Sequence, residues 1–292
     1  MNNIPFHRDA HHKLLLTILT IFILLISLFI YKEVYHHRTN QTFILILFLI
    51  IFLFLGLIEI LSSGKIIWIK SKLNISLCFF SIILTISLFS GNNITVNLGH
   101  YLYFLSYLIL LFIVFNLIQS EKDFNTIVKV FLVSSFLVAL YTLLQYYGLD
   151  PYYSYLGQLT STIGQKNWIS NYLAMIFPIA FSFFLLEANG GSKITFFLLL
   201  AILYSALMIG QSRGIWISIG MTLLFSLIII SRYRLWEVFR NNKKWLIVLL
   251  IFFLVITVIY STENLLNKSR LTVIERAAST FDKDDPSTIP AF

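Results

Sequence analysis

The chain has 292 residues, of which 58% are hydrophobic and only 12% charged, with 28 phenylalanines and a mean hydropathy of +0.86. An ordinary soluble domain carries roughly 25% charged residues, so no water-soluble core of this length hides so much apolar surface, and a soluble enzyme is excluded. The net charge of +8 sits in short segments between apolar runs, where it reports membrane topology rather than a nucleic-acid partner.

A helix that crosses a bilayer needs roughly 17–25 mostly apolar residues, because hydrocarbon cannot satisfy backbone polar groups and the helix bonds them internally. Nine stretches qualify: Leu14–Tyr31, Phe43–Leu61, Leu73–Phe89, Gly99–Gln119, Ile127–Tyr147, Asn167–Leu186, Ile194–Gly210, Gly214–Ser231 and Lys244–Tyr260. The expected fold is an all-α polytopic membrane protein, with a transmembrane domain over 1–260 and an outer segment over 261–292. The first stretch follows a basic N-terminus, but no small-residue cleavage site follows Tyr31, so it reads as a retained helix. The seventh and eighth are separated only by Gln211, Ser212 and Arg213 and form a tight hairpin. Cys78 lies inside the third run, which leaves neither a disulfide framework nor a thiolate metal site.

Orientation follows from the Lys and Arg of alternate connections, since cytoplasmic loops carry the excess. With the N-terminus inside, the inner set contains thirteen, from Arg8 and Lys13 through Lys193 to Lys243 and Lys244, whereas the outer set holds four: Lys32, Arg38, Lys166 and Arg213. The tail carries the remaining four and is placed outside. The chain shows no internal repeat of the kind found in many secondary transporters.

Three polar features interrupt the pattern, all on the expected outer face. The first runs from Gly148 to Lys166 and on to Asn171, with Tyr146, Tyr147, Tyr152, Tyr153 and Tyr155 crowding the helix end. These rings read as an interfacial aromatic belt or as a stacking surface for a sugar. Lys166, Asn167 and Asn171 begin a helix, whose N–H groups and positive dipole end favour an anion such as phosphate. The second is Gly210-Gln211-Ser212-Arg213-Gly214. An arginine there either snorkels to water or, with glycines leaving its guanidinium unobstructed, makes a bidentate phosphate contact. The third is the tail, with Arg276 and the run Phe281–Thr288. Its Asp282, Asp284 and Asp285 lack the glycine and terminal glutamate of an EF-hand and read as a solvated loop. His7, His11 and His12, and the pair His36 and His37, have no carboxylate or thiolate at metal-ligand spacing. Glu59, near the inner end of the second span, reads as a solvated interfacial carboxylate rather than a proton carrier.

Taken in order, Gly164-Gln165-Lys166-Asn167 opening a helix with Asn171, Tyr172 and Pro178, then Gly210-Gln211-Ser212-Arg213-Gly214, then one more span and an outer loop, the chain resembles the O-antigen ligase family over roughly Leu143–Thr288. That family carries a Gly-x-x-Asn-x-x-x-x-Tyr-Leu segment and a Ser-Arg-Gly segment before a large periplasmic loop. The family more often has Asn where Gln165 and Lys166 stand. The resemblance implies a GT-C-like fold in a bacterial inner membrane. The implied activity is glycosyl transfer from undecaprenyl diphosphate to a hydroxyl of an acceptor glycan, lipid A core or protein, in cell-surface polysaccharide synthesis. It implies no metal and no cofactor. Arg213 would bind the diphosphate, with Lys166, Asn167, Ser212 and Arg276 as substrate-binding residues. It also implies a second arginine after the Asp/Ser-rich stretch and a later histidine. Neither occurs before Phe292, so a fragment cut within the outer loop, inactive as it stands, is the expectation. The competing readings are a transporter or lipid-linked glycan flippase, which calls for midplane polar residues in several helices that this chain almost lacks, and a structural membrane subunit.

Overall fold

The computed structural model describes residues 4–29, 37–63, 72–89, 94–150, 159–210, 212, 217, 219–221, 224, 225, 228, 232 and 236–261. Their regular structure is helical throughout: α1 (Ile4–Leu28), α2 (His37–Ser63), α3 (Lys72–Leu88), α4 (Ile94–Leu117), α5 (Glu121–Tyr146), α6 (Lys166–Leu186), α7 (Gly190–Gly210) and α8 (Trp236–Ser261). Seven of these, all but α3, are long and apolar enough to cross a membrane. Large side chains such as Ile50, Phe54, Leu102, Leu198 and Leu254 stand exposed on them, which only a lipid solvent tolerates on this scale. This is a helical membrane protein.

Eight of the nine expected spans coincide with α1 to α8. The expected eighth, 214–231, falls mostly outside the described residues, and those described within it are helical. Several helices outrun their apolar cores: α1 starts at Ile4 rather than Leu14 and α8 at Trp236 rather than Lys244. Hydropathy marks the hydrocarbon layer, whereas intrahelical bonding continues into the interface. Hydroxyls within the spans are largely satisfied by their own helix. Ser27, Ser81, Ser106, Thr142, Ser205 and Thr257 each donate to the carbonyl four residues back, so they present less unmet polarity to lipid or to a translocated solute.

The chain divides into two compact units, residues 1–131 and 132–292. In the first, Leu19, Phe22 and Ile23 of α1 pack on Ile44, Leu45, Phe48 and Phe52 of α2, joined by Leu117 and Ile127. His12, near the start of α1, reaches Asp123 in the first turn of α5 at 3.3 Å. Asp123 also closes a reciprocal cap. Its carboxylate accepts the Ser120 N–H at 3.0 Å and its own N–H donates to Ser120 Oγ at 3.1 Å, the arrangement of a capping box. The starts of α1 and α5 therefore share one end of the unit, which requires an even number of crossings between them. α3 and α4 form an antiparallel hairpin, closed by Asn97 Nδ2 on the Leu88 carbonyl and by the Thr85 and Tyr101 hydroxyls.

In the second unit, Lys193 near the start of α7 is buried and donates to the Glu187 carbonyl after α6 at 2.8 Å and to Asn242 Oδ1 of α8. Asn242 in turn donates to the Leu185 and Val238 carbonyls at 2.9 and 2.7 Å. The end of α6 and the starts of α7 and α8 thus meet. At the opposite end the close of α7 touches the start of α6, and Tyr147 after α5 meets Tyr260 of α8. The chain between Gly210 and Trp236 consequently leaves from one end of the unit and arrives at the other.

Candidate functional site

The site is built where α5 ends and α6 begins. Gly148 turns the chain out of α5 with φ +74°, and Leu149 N–H returns to the Leu144 carbonyl at 2.9 Å. This brings Asp150 back against the last turns of α5. Its two carboxylate oxygens accept Tyr141 Oη at 2.7 Å and Gln145 Nε2 at 2.9 Å. The other end of the Gln145 amide accepts the backbone N–H groups of Thr160 and Ser161 at 3.2 and 2.6 Å. One buried glutamine therefore ties a carboxylate to the turn that starts α6.

That turn holds two backbones in the left-handed region, Ser161 at φ +45° and Gly164 at φ +97°. Glycine adopts this without a Cβ penalty. Serine pays roughly 1–2 kcal/mol for it, and its bonds to Gln145 and to the Val138 carbonyl, the latter at 3.2 Å, offset that cost. Gln145 is only 8% exposed and Ser161 1%, so these bonds form away from bulk water.

From Gly164 the chain enters α6 through Gln165, which is extended and makes no side-chain capping bond. The first turn of α6 holds no acidic residue, so no carboxylate there compensates the positive end of the helix dipole. Lys166 and Asn167 lie exposed in that turn. The last residue of α7 sits directly beside it. A Cβ built on Gly210 would collide with Ser170 Oγ and lie 3.9 Å from the Lys166 carbonyl. A side chain there would need Ser170 Oγ to turn aside, and glycine permits the approach without that shift. Ser170 Oγ is completely buried and has no hydrogen-bond partner among the described residues.

The tyrosines act differently from an open stacking platform. Tyr146 and Tyr260 are each 8% exposed, with ring centroids 5.6 Å apart at 79°. Tyr147 packs edge-on to Tyr146 and its hydroxyl lies 3.3 Å from that of Tyr260. With Leu159, Met208 and Ile209 they form a core that fastens α5, α7 and α8 beside the turn. Tyr152, Tyr153 and Tyr155 lie outside the described residues.

Of the residues singled out in the sequence, Lys166 and Asn167 share the exposed first turn of α6, and Ser212 stands half-buried two residues beyond Gly210. Arg213 and Arg276 lie outside the described residues. Sequence reasoning missed Tyr141, Gln145, Asp150 and Ser170. The first three are ordinary helix-end residues until the turn folds back, and the sequence hint of a close backbone approach lay in the glycines that flank Arg213, Gly210 and Gly214. No protein-family model, curated protein or solved structure matches this chain.

Proposed function

We propose that the chain is a GT-C-like glycosyltransferase with nine transmembrane spans, its tail outside, in a bacterial inner membrane. It would pass a glycan from undecaprenyl diphosphate to an acceptor hydroxyl, in the manner of the O-antigen ligase family. The observation that carries this reading is the seat of Gly210 on the first turn of α6. It joins two motifs more than 40 residues apart in the sequence. Arg213 follows Gly210 by three residues in the sequence, and in the proposed site it binds the diphosphate together with Lys166 and Asn167. The N-terminus of α6, whose first turn holds no acidic residue, adds its positive dipole end. Such a gathering of cationic groups is what a departing diphosphate demands.

In the proposed reaction the acceptor oxygen attacks the anomeric carbon, the bond to diphosphate breaks, and the diphosphate leaves with the electron pair. The acceptor proton must pass to a base. Asp150 is the one carboxylate described beside this turn, and Tyr141 and Gln145 orient it. The nine-span count is supported by the even crossing number between α1 and α5, and by the return of the chain between Gly210 and Trp236.

The test is retention of undecaprenyl diphosphate by the purified chain, measured by native mass spectrometry. Arg213→Ala should weaken retention about tenfold or more, the usual scale for a lost charged hydrogen bond. Undiminished retention by Arg213→Ala would sink the assignment. Flux of the lipid-linked glycan across vesicles without transfer would favour the flippase reading instead.

A further inference from the structure

A second feature lies at the opposite end of the second unit, away from the α5–α6 turn. Along one stripe of α8 runs an almost wholly apolar groove of about 510 Å³, lined among the described residues by Phe239, Leu246, Ile247 and Leu250 and by the stems of Glu237, Arg240 and Lys243, whose charged ends are exposed. Positions 240, 243, 247 and 250 follow the three-four spacing that places residues on one helix face. The stripe changes character along its length, with cations in the first two turns and exposed aliphatic side chains below them. Arg240 reaches Glu237 at 3.8 Å, but both side chains are about four-fifths exposed, at 78% and 81%, so the pair is weak and leaves the guanidinium available to a stronger acceptor. Lys243 is exposed beside it.

We propose that this groove is a binding site for one anionic phospholipid, its phosphate held by Arg240 and Lys243 and an acyl chain lying on Leu246, Ile247 and Leu250. Charge and depth both select that occupant. From Arg240 to Leu250 the helix rises about 15 Å, half the roughly 30 Å hydrocarbon thickness and therefore the depth of one leaflet. A phosphate above an apolar chain of that length matches the stripe. A soluble phosphate leaves the aliphatic floor empty, and a zwitterionic lipid places a cation against Arg240 and Lys243. The excess of Lys and Arg at this end of α8 puts the leaflet on the cytoplasmic side. The site does not depend on the glycosyltransferase reading.

The experiment titrates the detergent-purified full chain with phosphatidylglycerol, with phosphatidylcholine of the same acyl chains, and with glycerol phosphate, and counts bound molecules by native mass spectrometry. Phosphatidylglycerol should be retained preferentially. Each cation near a membrane surface contributes a factor of about five, so the Arg240→Gln, Lys243→Gln double variant should lose roughly 25-fold. Glu237→Gln, which removes the competing carboxylate, should strengthen retention, an outcome that no folding defect mimics. Equal retention of the two lipids, an unaffected double variant, or glycerol phosphate binding as well as the lipid would each overturn the proposal.

Discussion

The side-chain carbonyl of Gln145 accepts the backbone N–H of Ser161 at 2.6 Å, and through that bond the end of α5 fixes the turn from which α6 starts. The same side chain holds Asp150 with its amide nitrogen. A residue whose two ends serve two different elements is sensitive to its exact chemistry, and substitutions here separate the roles.

Gln145→Leu leaves the Thr160 and Ser161 N–H groups without their acceptor. An unsatisfied buried donor costs about 1–3 kcal/mol, so thermal unfolding in detergent should show a loss of at least about 2 kcal/mol. Gln145→Glu keeps the acceptor but sets a second carboxylate against Asp150. It should be destabilised near neutral pH and recover when combined with Asp150→Asn, which restores an amide donor opposite the new carboxylate. A double variant no better than Gln145→Glu alone would refute the clamp.

Gly210→Ala should cost about 1–3 kcal/mol, the range for forcing an extra methyl into a packed contact. The atom that collides is Ser170 Oγ, which makes no hydrogen bond among the described residues. Combining Gly210→Ala with Ser170→Ala should therefore return stability close to that of the unaltered chain, a coupling readable from a double-mutant cycle.

At the other end of the unit, Asn242→Leu should be worse than Lys193→Met. The first leaves a buried ammonium with the Glu187 carbonyl and the face of the Phe184 ring and removes both bonds from Asn242 to α6 and α8 carbonyls. An uncompensated buried charge costs roughly 3–5 kcal/mol. The second removes the charge, keeps an aliphatic stem of similar length and leaves the Asn242 donations intact, for a loss of about 1–2 kcal/mol. The reverse order in denaturant unfolding would show that Lys193 is held by something other than Asn242.

Asp123 and His12 should respond unequally although they touch. Asp123→Ala removes both the contact with His12 and the reciprocal cap on α5, and loss of a cap alone costs about 1 kcal/mol. His12→Ala removes only a partly exposed side-chain contact, worth about 0–1 kcal/mol. Equal losses on unfolding would mean that the bridge between α1 and α5, not the cap, is the dominant interaction.

The helical class, the membrane setting and the approximate position of eight helices were legible in the sequence, because an apolar run long enough for hydrocarbon is a local property and lipid-facing side chains need no particular partner. Gly210, one of the glycines flanking Arg213, could also be marked as a place where backbone runs close. What only the tertiary structure decided is which ends meet. Lys193 reads in the sequence as one more cytoplasmic loop cation, yet it is buried against Asn242, 49 residues away. Tyr146 reads as part of an aromatic belt, yet it is packed on Tyr260. Gln145, Asp150 and Ser161 carry no motif at all. Their bonds join residues whose proximity depends on how α5, the turn and α6 fold back on one another, and a pairing of that kind leaves no periodicity or composition along the chain from which to read it.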